Sequence, residues 1–344
     1  MYDSDVHFGA LFDQVQSEFA CAAQTPQEVM EWQARFRPRL RQVLGLDLME
    51  ESLAGHSIHA ERIGSVECED YIRESWHLWV EPTVPLPFYL LRPKQQTRPL
   101  PLLLTPHGHN PPYIYAGIAH TGEEKQRMIE GERDIAVQAV REGYLAIAPT
   151  TRAFGETRTN RDREQNTTHS CRTELMYCLL VGRTPIGERV WDMSRLIDWA
   201  LDHLDVDNRK IAITGNSGGG TVSLFAAACD TRIAISMPGS YFCTFRGSIG
   251  SVYHCDCNYV PGLLRLGEMY DVAGLIAPRP FCAIHGRRDE IFPIQHTVLA
   301  YERLKAIYAA AAVAERCQLY IGEGGHRYYK AGAWSFCRKW FQAE

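Results

Sequence analysis

The chain has 344 residues, enough for one α/β domain with extensions, and its 45% hydrophobic and 22% charged content is that of an ordinary globular protein. A formal net charge of -5 offers no concentrated positive field, which argues against nucleic acid as the main partner. The longest apolar run, Ala306 to Ala314, is far too short to cross a bilayer, so no membrane partner is expected either.

The opening stretch, MYDSDVHFGALFDQVQSEF, carries acids where a signal peptide needs bases and has no apolar central region. The expected location is therefore cytoplasmic, with a processed secreted form as the alternative. Residues 8–47 read as helical. Within them, Gln27 to Leu44 interleaves tryptophan, phenylalanine and leucine with arginine and ends at Gly45. Residues 1–55 are accordingly expected to form a helical extension packed on the core, and residues 56–344 the catalytic domain.

Residues 56–93 read as extended segments, among them ESWHLWVEP and LPFYLLRP, bounded by prolines. From about residue 100 the texture changes. The short apolar runs PLLLTPHG, YLAIAPT, KIAITGN, RIAISMPG, PFCAIHG and CQLYIGE alternate with helix-length segments such as GERVWDMSRLIDWALDHL and TVLAYERLKAIYAAAAVAE. Strands buried on both faces look like this, and the alternation predicts a mostly parallel central sheet with helices on both faces. Residues 151–187 break the rhythm. They are polar and arginine-rich, and read as a small insertion after the fourth core strand, in the position of a lid.

Gly215-Asn216-Ser217-Gly218-Gly219 fits G-x-S-x-G, in which glycines permit a sharp turn that exposes a serine hydroxyl at the end of a strand. The pattern is weak alone, but here an apolar run leads in and an alanine-rich helix leads out. A Walker-type phosphate loop would need lysine after the last glycine, where Thr221 stands. A dinucleotide fingerprint belongs early in the chain, whereas this strand is about the fifth of the core.

A serine hydroxyl needs a base to remove its proton, and the base needs an orienting acid. Downstream, PFCAIHGRRDEIFP supplies Asp289 just past a strand, with Glu290 as the fallback. CQLYIGEGGHRYY then supplies His326 past a Gly-Gly turn. Of the thirteen histidines only His326 has this late strand-end setting; His285 reads as packed, and His7, His56 and His59 lie outside the core. The oxyanion of a tetrahedral intermediate needs N–H donors. The expected ones are the backbone of Gly218 and of His109, the latter in LLLTPHGHNPP, with the His107 imidazole supporting that loop.

Arg152, Arg158, Arg161, Arg163 and Arg172 stand against only Glu156, Asp162 and Glu164 in the insertion. They suit a solvated charged loop or recognition of a carboxylate-bearing ester, for which Arg152 is the nominated contact. Tyr241, Phe242 and Phe292 are candidate pocket walls that would serve equally as core. The eleven cysteines have no regular framework. His254-Cys255-Asp256-Cys257 is the one close cluster, and its C-x-C lacks a second matching pair, so no metal and no organic cofactor are expected.

The ordered set HGHN, GRTPIGERVWD, GNSGGG, GSYFCTFRGSI, HCDCNYVPGLL, IAPRPF, GRRDEIFP and GEGGHRYY resembles the α/β-hydrolase superfamily over about residues 100–340. More narrowly it is similar to the acetylxylan-esterase-like branch, related to dienelactone hydrolase and to the prolyl oligopeptidase catalytic domain. The resemblance implies a serine hydrolase with Ser217, Asp289 and His326 as its triad, acting on a small-molecule or carbohydrate ester. The departure is the missing secretion signal, which sits poorly with a large extracellular polymer. Peptide, thioester or carbon–carbon cleavage by the same residues is the alternative chemistry, and a binding protein on a hydrolase fold the alternative class. Helices at the sheet edges are compatible with a homo-oligomer.

Overall fold

Alternation of side chains along the apolar runs builds two cores on one sheet. Leu102, Leu104, Ile211 and Ile213 face one hydrophobic cluster, while the intervening Leu103 and Ala212 face another. The computed structural model describes residues 2–342. Its strands are β1 (Ala60–Glu67), β2 (Tyr71–Glu81), β3 (Val84–Pro93), β4 (Leu100–Leu104), β5 (Leu145–Pro149), β6 (Val206–Asn216), β7 (Ile235–Gly239), β8 (Phe281–Gly286) and β9 (Cys317–Gly322). They form one nine-stranded sheet in the order β1-β2-β3-β5-β4-β6-β7-β8-β9.

The first three strands form an antiparallel meander that joins β5 antiparallel; β4 to β9 are mutually parallel. Every loop that leaves a parallel strand therefore opens on the same edge of the sheet. Helices Pro26–Leu44, Pro185–His203, Gly218–Cys229 and Ile294–Ala310 supply the cluster on one face, and Ile135–Arg141 and Lys330–Gln342 that on the other. No helix among the described residues is long and apolar enough to cross a membrane.

Two expectations shift. The serine strand is sixth rather than fifth, HGHN follows β4, and the insertion follows β5, because residues 56–93 make one more strand than the two quoted segments show. The extra strand, β1, lies at the sheet edge with most residues exposed, so it carries no hydrophobic alternation to read. Nor are residues 8–47 continuously helical: helices Ser4–Gln14 and Pro26–Leu44 are separated by a non-helical stretch.

That stretch is anchored. Glu18 and Phe19 donate their backbone N–H to Arg265 and Leu266 carbonyls at 2.8 and 2.7 Å, and the buried Phe19 ring stacks on Phe36 at 4.9 Å. Helix Pro26–Leu44 begins with Thr25 accepting from the Glu28 N–H and Pro26 in the first turn, and ends at Gly45 in the left-handed region (φ 82°). Its Phe36, Leu40 and Leu44 are fully buried in the larger core.

The N-terminal residues thus complete the core rather than decorate it. Phe36→Ala is expected to cost about 3–5 kcal/mol, as for a large aromatic removed from a packed interior. Urea denaturation should show the whole transition moving to lower denaturant, not the loss of a separate early phase.

Candidate active site

Ser217 sits between β6 and helix Gly218–Cys229 at φ 60° and ψ -119°, backbone space that a residue with a Cβ rarely holds. The turn around it is tight. The Pro106 carbonyl oxygen would lie 2.2 Å from a Cβ on Gly215 and 2.0 Å from one on Gly219, so only glycine fits at either place. Ser217 N–H donates to the Gly239 carbonyl at 2.8 Å, and Asn216 N–H to the hydroxyl of the buried Tyr115 at 3.2 Å.

Asp289 and His326 leave the ends of β8 and β9 and meet. His326 Nδ1 lies 2.8 Å from Asp289 Oδ2, while Asp289 Oδ1 accepts the Ile291 and Phe292 N–H groups at 3.0 and 3.1 Å. Burial pushes the Asp289 carboxyl upward, but the bond and charge of His326 and the Phe292 N–H outweigh it, leaving it below the usual aspartate value. It is held as a carboxylate, which makes His326 Nδ1 the donor in that bond. The fallback Glu290 is exposed and makes no such bond.

The HGHN loop lies directly on the serine turn: a Cβ on Gly108 would meet Asn216 O at 2.7 Å, Gly218 N at 3.0 Å and Ser217 Cβ at 3.1 Å. His109 N–H and Gly218 N–H have no protein acceptor among the described residues. Below them, the fully buried His107 accepts the Thr151 N–H on Nε2 at 2.9 Å and sets Nδ1 against the Gly108 carbonyl at 2.6 Å. Asn110 is fixed by Arg133 at 2.7 Å. The loop is thus clamped from beneath and from one side.

A cavity of about 220 Å³ opens above Ser217, with Gly218, Thr221, His109, Tyr253, His254 and Phe292 among its walls. Phe292 lines it and lies nearly parallel to the His326 ring, 6.0 Å away. Tyr241 is one layer deeper, edge-on to Phe292 at 5.3 Å, and Phe242 packs on Phe281 in the core, so neither forms the wall. The sequence does not distinguish these three aromatics, because each follows a strand end and only their packing separates them. Tyr115, Thr151 and Tyr253 carry no motif at all, while His254 and Asn258 reach the site from the HCDCNYVPGLL stretch, which in the sequence marks a cysteine cluster and not a cavity wall.

Arg152 is not available to an acidic substrate. It is buried, with its guanidinium on Asp192 at 2.7 Å, Glu81 at 2.6 Å and Glu188 at 3.5 Å. Three carboxylates consume it because β2, β5 and helix Pro185–His203 converge there. Arg158 bonds the Gly155 and Thr167 carbonyls, Arg163 bonds Asn160, and Arg172 pairs with Asp256. None of the five arginines lines the Ser217 cavity, and among the described residues Asp256 is the sole Asp, Glu, Lys or Arg that does.

Burial lowers His107 to about 3, more than its bond to the Gly108 carbonyl restores, so its imidazole stays neutral in the fold. An unfolded histidine titrates near ~6.5, and so the unfolded chain takes up a proton here that the folded chain refuses. The stability His107 confers is therefore complete above that value and is lost as pH falls toward the folded one, at up to about 1.4 kcal/mol per pH unit. Chemical denaturation between about pH 4.5 and 6.5 should show His107→Gln with a slope shallower by nearly one proton.

The family model described as glucuronyl esterase, fungi, matches residues 145–244, the stretch from β5 through the serine turn to the loop after β7. A protein named as a hydrolase, YtaP of Bacillus subtilis (strain 168), is 25% identical over 277 residues, covering 78% of this chain and 87% of its own. A Bacteroides fragilis NCTC 9343 protein crystallised as an acetyl xylan esterase superposes with a TM-score of 0.78 at 18% identity, over 97% of this chain and 84% of that one. A glucuronoyl esterase from Solibacter usitatus superposes with a TM-score of 0.64 at 15% identity, over 95% and 98%. With this sheet order, a serine on a positive-φ turn after β6 and these likenesses, the chain has the α/β-hydrolase fold and is similar to carbohydrate esterases built on it.

Proposed function

We propose that the protein is a serine hydrolase of carboxylic esters that works through an acyl-enzyme. The observation that carries this reading is the strained Ser217 turn on the same edge of the sheet as a bonded Asp289–His326 pair, all three at the ends of parallel strands. In the first step Ser217 Oγ attacks the ester carbonyl and gives its proton to His326 Nε2, while Asp289 stabilises the imidazolium that forms. Negative charge gathers on the carbonyl oxygen, where the His109 and Gly218 N–H groups receive it. His326 returns the proton to the departing alcohol. Water then repeats the sequence on the acyl-serine and frees the acid.

The substrate reading is a carbohydrate ester without a free carboxylate near the reacting carbonyl. Relatives described as acetyl xylan and glucuronoyl esterases support the carbohydrate. The cavity supports the absence of charge, because among the described residues no arginine or lysine lines it and its one wall carboxylate, Asp256, is paired with Arg172 at 3.4 Å. Tyr253, strongly exposed at the rim, offers a face on which a sugar ring can stack.

Ser217→Ala is expected to abolish both ester hydrolysis and labelling by a fluorophosphonate probe. Asp289→Asn should keep the fold and lower kcat by roughly 10⁴-fold, because the imidazole loses its tautomer. Unchanged turnover of acetyl and methyl sugar esters in Ser217→Ala would overturn the reading. In the same screen, a neutral methyl uronate should be hydrolysed in preference to an ester carrying a free carboxylate beside the scissile group. Peptide amides and diketones in the panel test the alternative chemistries directly.

A further inference from the structure

Three stretches far apart in the chain bring imidazoles and thiols together on one wall of the Ser217 cavity. His109 comes from the loop after β4, His169 and Cys171 from the insertion after β5, and Cys255 from the loop after β7. One ligand atom from each of these four lies within 4.8 Å of those from the other three. His109 Nε2 approaches Cys171 Sγ to 3.8 Å. Cys257 stands behind, its Sγ 3.4 Å from that of Cys255.

Packing accounts for only part of this. Cys171 and Cys257 are buried with Ala153 and Phe154 in a small cluster of their own, as thiols often are. The His109 and His169 rings also pack on Phe154, at 5.0 and 5.7 Å, but that contact does not require their nitrogens to face the two thiols. The rings of His109 and His169 meet edge-on at 5.0 Å, with no carboxylate between them.

We infer that His109, His169, Cys171 and Cys255 form a tetrahedral zinc site that fastens the insertion and the loop after β7 to the oxyanion loop. Two nitrogens and two sulfurs are the donor set that zinc takes in closed structural sites. Bonds of about 2.3 Å to sulfur and about 2.0–2.1 Å to nitrogen put ligand atoms roughly 3.3–3.8 Å apart. Separations here, all within 4.8 Å, close to that by about 1 Å or less of side-chain rotation. Two thiolates balance the ion's charge. Arg189, with Nη2 3.8 Å from Cys171 Sγ, is held in turn by Glu174 at 2.6 Å and supports that sulfur from outside. Only weak contacts are at stake: His109 Nε2 to Cys171 Sγ at 3.8 Å, Cys257 Sγ to Cys255 Sγ at 3.4 Å and Cys171 N–H to His169 Nδ1 at 3.3 Å.

Four protein ligands leave no open position, so the ion holds loops and takes no part in the reaction. Its effect on catalysis, through the placement of His109, rests on the serine-hydrolase reading; the site itself does not. Only His169-x-Cys171 puts two of the four ligands close together in the sequence; His109 and Cys255 come from remote segments.

The test is metal content by mass spectrometry on full-length protein, purified under reducing conditions without chelator and without a polyhistidine tag. One zinc ion per chain is expected. Cobalt substitution should give the visible bands of a tetrahedral thiolate site. Cys171→Ser and Cys255→Ser should each lose the metal and the cobalt bands, whereas Cys257→Ser should keep both. Circular dichroism reports whether each variant is folded. Zinc should also raise the thermal midpoint of the wild type and not of His169→Ala, a readout that needs no substrate. Background metal in zinc-treated wild type without cobalt bands would overturn the site. So would full zinc content in a Cys171→Ser/Cys255→Ser double variant. Loss of the metal from a folded Cys257→Ser variant would overturn the set of four ligands, because Cys257 would then be one of them. A protein that binds zinc but hydrolyses no ester leaves the site standing and removes the hydrolase reading instead.

Discussion

Ser217 occupies a backbone conformation that costs of order 1–3 kcal/mol and persists only where its surroundings over-determine it. Those surroundings are local in space and scattered in sequence. The Pro106 carbonyl fills the space where Gly215 and Gly219 have no side chain, and the Gly239 carbonyl and Tyr115 hydroxyl take the N–H groups of Ser217 and Asn216. The same wedge fixes the HGHN loop, since the chain that carries Pro106 continues into Gly108 against the turn. Nucleophile position and oxyanion donors are therefore one constraint. A shift in the β4 loop large enough to misplace His109 also releases the strain at Ser217.

Around this turn the charged residues form struts. Arg152, Arg183 and Arg189 are threaded through Glu81, Glu188, Asp192 and Glu174 where β2, the insertion and helix Pro185–His203 meet. Burying such charges is expensive, and their mutual attraction roughly offsets the loss of water. What the network confers is geometry. It seats the first residues of the insertion so that Thr151 reaches His107 and Phe154 lies edge-on to His109 at 5.0 Å. The insertion is in this sense a wall of the cavity, and Arg152, one of the arginines that make it look basic in sequence, is spent inside it.

Much of the fold is legible in the chain because a parallel sheet buried on both faces leaves continuous apolar runs, and six of them stand out from residue 100 onward. What is illegible has a physical reason in each case. β1 is an exposed edge strand, so nothing marks its faces. The turn that anchors Phe19 breaks a pattern whose composition still suits a helix. Arg152 and Arg158 have the same local appearance, and only the arrival of three carboxylates at one of them separates a strut from a loop residue. Phe292 and Phe242 likewise differ by which side of a strand end they leave.

The sequence by itself determined the order of the parts: an apolar strand before each of HGHN, Ser217, Asp289 and His326. Parallel strands bring all their C-terminal ends to one edge, so that order is enough to put those four segments in one neighbourhood. Tertiary structure decided everything that depends on distance between loops. It selected which aromatic lines the cavity, denied the arginines to the substrate, and gathered His109, His169, Cys171 and Cys255 from three remote segments of the chain. Strand order is written as a local pattern along the chain. Loop-to-loop contact is set by packing between residues remote in sequence, and a single chain read in order holds no record of it.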